Sequence, residues 1–410
     1  MRHSILLTLV PCLAMAQALT EREKLLLDRI EKLEQRVAAL EKERPPAPVL
    51  APVEPAPSPS PTGGATVTAY VDGYYQYNFN HPVGGVNVGR AYDVSSNSFN
   101  INQAGVILER APDPAAGRRF GGRLDLLFGQ AAESLQGNPS NEPRPQVYRN
   151  LYQAYGTYVA PLGHGLTTDF GKWASSFGAE NNYTKDQLNY TRSFWFTLLP
   201  AYHMGMRTSY PVTGKLTAAY WLINGTNQTE DFNGFHSQAF LLSGTPTKNV
   251  SWNVNYWNGR ESHTVDNEEH RGRLHIVDSY AAWNIKDKWT LLGELDWMSN
   301  RVDSGSVPQT VIGGAAYVNY RFTNRFRLAG RFEVMDDRNG LFAGHRQTLK
   351  EGTLTAAFDL ADGFQMRWEL RHDASSAPYF HTAQIGVLSK DQTTALMGLI
   401  WWFGGKQGIW

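Results

Sequence analysis

The stretch from Asn150 to Gly225 decides the fold and reads NLYQAYGTYVAPLGHGLTTDFGKWASSFGAENNYTKDQLNYTRSFWFTLLPAYHMGMRTSYPVTGKLTAAYWLING. Its aromatic-rich segments are joined by short turns at APLGHG, around Pro161, and at PVTGK, around Pro211. Between Ala174 and Pro200 lies one long polar and aromatic excursion. Short turns that alternate with long loops are typical of an up-and-down membrane barrel.

The composition of the whole chain agrees with a barrel. Aromatic residues make up 12% of the 410 residues, glycine occurs 38 times, and charged residues account for only 19%. No window approaches the run of about 20 apolar residues that a membrane helix needs. Strands that are apolar on one face only keep the mean hydropathy low, as outer-membrane barrels do. A secreted all-β protein such as a propeller is the alternative at this level.

Period-two alternation continues outward from the opening stretch. The segment from Phe364 to Arg371 places aromatic and aliphatic residues on one face and charged or amide residues on the other. Counting such segments predicts about sixteen strands. They are predicted to begin near residues 67, 98, 119, 148, 165, 201, 215, 235, 249, 272, 288, 310, 325, 347, 364 and 392.

The connections favour the barrel over the propeller. Further short turns follow even-numbered strands at TPTKN, IKDK, FTN and ADG, whereas longer polar connections follow odd-numbered strands. Only Ala111 to Arg119 is long among the even-strand connections. Strict alternation of this kind is what periplasmic turns and outer loops produce. We therefore predict an all-β transmembrane antiparallel barrel over residues 65–410.

The residues before the barrel predict three segments. A basic start, an apolar core and Ala14-Met15-Ala16 predict a signal peptide over 1–16, which contains Cys12, the only cysteine. Residues 17–43 carry apolar residues at heptad spacing from Leu26 to Leu40, which predicts a short coiled coil or, alternatively, a lone solvated helix. Residues 44–64 contain eight prolines and predict a semi-rigid linker.

Several stretches carry a family resemblance. They are AYVDGYYQYNFN (Ala69 to Asn80), LERAPDP with GGRLDLLFG (Leu108 to Gly129), LYQAYGTYVAPLGHGLTTDFGKWASSFGAE (Leu151 to Glu180), NYTRSFWFTLLPAYHMGMRTSYPV (Asn189 to Val212) and WLINGTN (Trp221 to Asn227). In these the chain resembles the second, OmpL-like family of outer-membrane β-barrel porins. The resemblance implies a barrel channel and brings no catalytic residues with it. The helix and linker lie outside it.

No catalytic, cofactor-binding or metal-binding motif stands out. The sequence contains no Gly-x-Ser-x-Gly elbow, His-Glu-x-x-His motif, phosphate loop or dinucleotide fingerprint, so we expect neither an enzyme nor a cofactor. The formal net charge of +0 gives no electrostatic reason to expect nucleic acid as a partner. Residues 266–270 form an acidic cluster, either a cation or lipid-headgroup bridge or a solvated loop.

Charged residues on the polar strand faces are predicted to line the pore, because a midplane arginine facing lipid costs about 2–4 kcal/mol. In addition to Asp72, the candidates are Arg123, Asp125, Arg207, Glu294, Asp296, Arg321, Arg327, Arg331, Glu333, Arg367, Glu369 and Arg371. Acidic and basic residues are nearly balanced among them. The late strands, however, contribute more arginine than glutamate.

The excursion from Ala174 to Pro200 is the expected constriction. It carries Glu180 and Asp186, which we expect to lie across from the arginine-rich wall and to produce a transverse field that selects polar solutes. The alternative is that these arginines pair with neighbouring glutamates and stiffen the wall.

The sequence thus predicts an outer-membrane porin for passive diffusion of small hydrophilic solutes, with its N-terminal segment in the periplasm. The alternatives are an anion- or phosphate-type selective porin and a structural anchor that tethers the coiled coil to the cell wall. Expected partners are outer-membrane lipid, small hydrophilic solutes, peptidoglycan at the N-terminal helix, and two further copies in a homotrimer.

Overall fold

The computed structural model describes residues 24, 28, 29, 31, 32, 34–36, 64–136, 142, 144–261 and 271–404. The chain divides into two units, Met1–Ser60 and Pro61–Trp410. In the first unit, the described residues are helical, and Lys32 Nζ donates to Asp28 Oδ2 at 3.0 Å. The predicted signal peptide, most of the coiled coil and linker, and the acidic cluster 266–270 lie outside the described residues. They stay predictions.

The second unit is built from strands, short helices and single 3-10 turns. The strands are β1 (Thr66–Asn78), β2 (Ser98–Arg110), β3 (Phe120–Phe128), β4 (Leu151–Ala160), β5 (Leu166–Ala174), β6 (Tyr202–Thr213), β7 (Leu216–Ile223), β8 (Ser237–Thr247), β9 (Val250–Gly259), β10 (Leu274–Ile285), β11 (Trp289–Asn300), β12 (Gln309–Thr323), β13 (Phe326–Asp337), β14 (Gln347–Ala361), β15 (Phe364–Ser375), β16 (Phe380–His381), β17 (Leu388–Ser389) and β18 (Asp391–Phe403). The helices are α1 (Gln130–Gln136), α2 (Pro145–Tyr148) and α3 (Phe194–Leu198), and the 3-10 turns are Val83–Gly85, Pro114–Ala116 and Thr184–Asp186. No helix among the described residues is long and apolar enough to span a bilayer.

Strands β1 to β15 and β18 form one closed barrel of sixteen antiparallel strands, in which each strand pairs with its neighbours in the chain and β1 pairs with β18. The predicted barrel and its strand number are confirmed. The largest difference in a predicted strand start is at β4, which was expected near residue 148 and begins at Leu151. The small hairpin of β16 and β17, inside the last long loop, was not predicted.

Side chains alternate across the barrel wall as the period-two pattern requires. On β15, Trp368 and Leu370 are exposed on the outer surface, whereas Arg367 and Arg371 have no exposed area. Aromatic rings from neighbouring strands pack in pairs on the outer surface at the end where the turns are short. Their ring centroids are 4.4 Å apart for Trp289 and Tyr320, 4.9 Å for Phe326 and Phe358, and 5.1 Å for Phe364 and Trp401. Such rows are typical of the girdle at a membrane interface.

The two ends of the barrel differ in their connections. At the short-turn end, strands are joined by turns such as those after Thr213, Thr247, Ile285, Thr323 and Ala361. At the long-loop end, the connection between β5 and β6 runs from residue 175 to residue 201. We call this segment the third loop, and it contains a 3-10 turn and helix α3.

Candidate functional site

The third loop lies inside the barrel and contacts strands all the way round it. Its Ser176 carbonyl accepts from Asn255 on β9, and its Ala179 amide donates to Glu294 on β11. Near its middle, the Tyr190 hydroxyl donates to Asp72 on β1 at 2.7 Å. Because β1 lies six strands from β11 and eight from β9 around the closed barrel, only a segment that crosses the interior reaches all of them.

Four arginines on β13 and β15 bind the backbone of the third loop. Arg327 donates to the carbonyls of residues 187 and 188, and Arg367 donates to the carbonyl of residue 189 at 2.9 Å. Arg331 donates to the carbonyl of residue 191 at 2.8 Å, and Arg371 donates to that of residue 192. Guanidinium groups with fixed donor geometry suit this task, since each one satisfies loop carbonyls that water would otherwise solvate.

Two glutamates on the same wall bind the loop amides. Glu369 accepts from the amides of Tyr190 and Thr191 at 2.6 and 3.0 Å. Glu333 accepts from the first two amides of α3, those of Phe194 and Trp195, both at 2.8 Å. A carboxylate at the start of a helix satisfies amides that have no partner within the helix. The wall thus binds both the carbonyls and the amides of the loop.

The opposite wall holds the loop through Tyr183. The Tyr183 hydroxyl accepts from Arg123 on β3 at 2.8 Å and from Gln153 on β4 at 2.7 Å, and it donates to Asp125. Next to it, the carbonyl of Asn182 accepts from Gln103 on β2 at 2.6 Å. These bonds connect the loop to β2, β3 and β4, on the other side of β1 from the arginine wall.

The start of the third loop rests on an aromatic cluster inside the barrel. Phe177 contacts the rings of Trp221 and Trp257 edge to face, with centroids 6.1 and 5.9 Å apart, and Trp173 packs against Trp221 at 5.8 Å. His203 lies among these rings, 5.0 Å from Trp257. This apolar base fixes the direction in which the loop enters the lumen.

The first loop, between β1 and β2, also folds inward, and sequence reasoning missed it. Arg90 bridges Asp93 in the same loop and Asp373 on β15, the latter at 2.6 Å. Gln76 on β1 donates to Asp93 at 2.7 Å. The signal in the sequence was an arginine and an aspartate three residues apart in a loop with few other charges, which is too common a pattern to single out.

The middle of the third loop is enclosed by the rest of the protein. Every residue from Asn182 to Trp195 is buried, and Tyr190, Arg192, Phe194 and Trp195 have no exposed area. A loop with one face toward a wide aqueous channel would expose that face. The residues of this segment are therefore packed against other parts of the protein on both sides of the loop.

The predicted pore-lining residues occupy three environments. Asp125, Glu294, Asp296, Arg331, Glu333, Arg367, Glu369 and Arg371 are buried in the interior, where all but Asp296 hydrogen-bond to the third loop. Arg123, Arg207 and Arg327 are half-buried, and Arg207 pairs with Asp169 at 2.6 Å beneath the ring of Trp173. Arg321, by contrast, is exposed close to the short-turn end of β12.

The loop carboxylates are placed differently from the expectation. Glu180 contacts the arginine wall directly, with its Oε1 2.7 Å from Arg331, rather than facing it across open water. Asp186 pairs with its neighbour Lys185 at 2.9 Å. Arg331 also pairs with Glu351 at 2.6 Å, and Arg371 pairs with Asp373 at 2.7 Å. Arg331 and Arg371 thus contact carboxylates, as the alternative of paired arginines expects, whereas Arg327 and Arg367 bind loop carbonyls. The transverse field stays a prediction.

One group of carboxylates stands apart from these ion pairs. Oxygen atoms of Asp278 on β10 and of Glu294 and Asp296 on β11 lie within 4.8 Å of one another, and all three residues are buried. Spacing of this kind could hold a metal ion. Asp278 was absent from our candidate list because β10 does not alternate cleanly in the sequence.

The barrel is similar in fold to known proteins. No curated protein matches the sequence. Among solved structures, the barrel is similar to OmpT of Vibrio cholerae, with 10% identity, a TM-score of 0.53 and coverage of 83% of this chain and 97% of that one. It is also similar to the outer membrane channel DcaP of Acinetobacter baumannii, with 8% identity, a TM-score of 0.55 and coverage of 83% and 97%. At such identities the likeness shows the fold alone. Residues 64–403, by contrast, match the family described as putative beta-barrel porin-2, OmpL-like, and the chain belongs to that family.

Proposed function

We propose that this protein is an outer-membrane channel for passive diffusion of small hydrophilic solutes, with the third loop as its constriction. A barrel of sixteen strands is wide enough to leave an aqueous lumen unless something fills it. Membership of a porin family and similarity to outer membrane channels support a channel rather than an enzyme.

The observation that carries the proposal is the attachment of the third loop to both walls. Glu369 and Arg331 hold it on one side, and Arg123 and Gln153 hold Tyr183 on the other. A solute must pass between this loop and the wall. The dense packing around the loop favours small solutes, and the paired charges favour weak ion selectivity.

Specific observations also support two other functions. Buried guanidinium nitrogens, Nη2 of Arg367 and Nη2 of Arg371, have no hydrogen-bond partner among the described residues, which favours an anion-selective or phosphate-type channel. The near-complete burial of the third loop favours a plugged barrel that anchors the N-terminal segment in the periplasm, where its helix would contact peptidoglycan.

Deletion of the loop segment from Glu180 to Tyr190 tests the channel. We expect single-channel conductance in planar bilayers to rise, and liposomes that contain the variant to swell in larger sugars than wild-type liposomes admit. Reversal potentials in a salt gradient separate an anion-selective pore from a weakly selective one. A wild-type protein that neither conducts nor admits any sugar would favour the anchor, and an unchanged conductance after deletion would remove the constriction.

We also propose a homotrimer. One similar structure is OmpT of Vibrio cholerae in a trimer form, with 10% identity and a TM-score of 0.53. Crosslinking of the protein in native membranes, with and without residues 17–64, is expected to give a species of three chains. A single chain in both cases would contradict the proposal.

A further inference from the structure

Two pairs of carboxylates face each other directly on neighbouring strands of the barrel interior. Glu333 on β13 is the register partner of Glu351 on β14, and Asp278 on β10 is the register partner of Asp296 on β11. Like charges placed directly opposite each other destabilise a sheet. Each pair therefore needs compensation from its surroundings.

The first pair is fully compensated by protein groups. Glu351 accepts from Arg331 at 2.6 Å and lies 3.4 Å from Arg371. Glu333 accepts from the amides of Phe194 and Trp195. Positive charge and oriented amides thus surround both carboxylates.

The second pair lacks the positive charge that the first pair has beside it. Neither Asp278 nor Asp296, nor the adjacent Glu294, forms an ion pair in the part of the chain that the structure describes. Asp296 is only 3% exposed, and neither of its carboxylate oxygens has a hydrogen-bond partner there. Removing carboxylates from water without partners is costly, so a bound positive charge would stabilise this pair.

A fourth polar side chain contacts this group of carboxylates. Asn255 on β9 is fully buried and donates from Nδ2 to Asp278 Oδ2 at 2.5 Å. Its own amide oxygen has no partner, and neither has Oδ1 of Asp278. Asn255 thus positions the Asp278 carboxylate, and the unpaired oxygens of Asp278 and Asp296 are hard ligands of the kind that divalent cations take.

We propose that Asp278, Glu294 and Asp296 form a binding site for one divalent cation, with Ca²⁺ as the preferred ion and Asn255 as the side chain that positions Asp278. Two oxygens that bind one Ca²⁺ at about 2.4 Å lie at most about 4.8 Å apart. The carboxylate oxygens here lie within 4.8 Å of one another and so meet this condition. Ca²⁺ accepts six to eight oxygens in flexible geometry, whereas Mg²⁺ demands a near-ideal octahedron and retains several waters. A buried site of three carboxylates therefore suits the larger ion.

The site touches the start of the third loop. Glu294 accepts from the Ala179 amide at 2.9 Å, and Asn255 donates to the Ser176 carbonyl at 3.0 Å. A bound cation fixes these side chains and, through them, the entry of the loop into the lumen. Cation binding itself does not depend on whether the barrel conducts.

The test is a binding measurement on the purified full-length protein in detergent, first stripped with a chelator. Tb³⁺ luminescence, sensitised by nearby aromatic residues such as Tyr317 and competed by Ca²⁺, reports occupancy without any transport assay. We expect saturable binding of one ion per chain. Asp296→Asn is expected to weaken Ca²⁺ binding tenfold or more, an order of magnitude typical of disturbed metal sites.

Asp169→Asn is the matched control, because it neutralises a buried interior carboxylate that pairs with Arg207, away from β10 and β11. It is expected to bind Ca²⁺ like the wild type. A thermal midpoint of the wild type that rises with Ca²⁺ supports the site even if a variant fails to fold. Absence of saturable binding, equal binding by Asp296→Asn, or a midpoint that responds to acid but not to Ca²⁺ would overturn the proposal. The last result would show that the carboxylates share protons instead.

Discussion

Replacing Arg331 by glutamine should release the third loop from the barrel wall. Arg331 joins three groups at once, because it contacts Glu351 on the wall, Glu180 in the loop and the carbonyl of Thr191. In the variant, Glu180 and Glu351 stay buried without their main counter-charge. Removing one partner of a buried ion pair costs about 3–5 kcal/mol.

This cost falls mainly on the docked state of the loop, since an undocked loop returns Glu180 to water. The opening equilibrium of the loop should therefore rise by about two to three and a half orders of magnitude, at 1.36 kcal/mol per factor of ten. The amides of Tyr190 and Thr191 report opening directly, because both donate to buried Glu369 when the loop is docked. Their hydrogen exchange, measured by mass spectrometry in detergent, should accelerate by that factor.

Arg338→Gln provides the control. Arg338 pairs with Asp336 at 3.0 Å near the end of the same strand, but both side chains are substantially exposed, so the pair is worth at most about 1 kcal/mol. Its removal should leave the exchange of the loop amides unchanged. If Arg331→Gln accelerates exchange less than tenfold, or no more than Arg338→Gln does, the loop is held by its apolar base and not by this arginine.

Three further predictions concern packing, lipid and pH. Gly398→Ala would place a methyl group 2.4 Å from the ring of Tyr190, so the Tyr190 hydroxyl should lose its hydrogen bond to Asp72. We expect the loss to lower stability by about 1–3 kcal/mol, measured by thermal unfolding. Leu295→Arg, on the outer face midway along β11, should lower stability by about 2–4 kcal/mol in lipid, and an equal effect in lipid-free detergent would contradict a membrane cause. Burial raises the pKa of Glu261 from 4.5 to about 7. Between these two pH values the unfolded chain has lost the proton that the folded state still holds, so the stability of the fold should fall as the pH rises from 4.5 to about 7. Hydrogen exchange of the amide of residue 226, which donates to this carboxylate, should then accelerate from pH 5 to 8 after correction for intrinsic rates, and Glu261→Gln should remove that dependence.

The barrel could be predicted from the sequence because the constraints on each strand and turn act between residues that are close in the chain. A strand facing lipid on one side and polar groups on the other must alternate, and turns between antiparallel neighbours are short and rich in glycine or proline. These constraints act over a few residues, so strand starts were predicted closely along the whole barrel. Failures occurred where alternation was weak, as on β10, whose Asp278 could not be assigned to a face.

The contacts inside the barrel could not be predicted in the same way, because they join residues that are far apart in the chain. Glu180 could be assigned to a loop, but its direct contact with Arg331 depends on how the loop crosses the lumen. The inward fold of the first loop, through Arg90, depends in the same way on Asp373 from near the end of the chain. A one-dimensional pattern predicts which side chains are polar and facing inward, and it does not predict which of them meet.

The pairing of β1 with β18 also has a consequence for biogenesis. The barrel cannot close before its last strand is made, and the partners of the third loop on β13 and β15 are made late. Glu369 lies 179 residues beyond Tyr190, and Arg331 lies 151 residues beyond Glu180. Contacts between such distant residues form slowly, because a long chain must first be brought together. The third loop can therefore bind β2, β3 and β4, which are made before it, but it lacks its anchors on β13 and β15 until the C-terminal strands arrive.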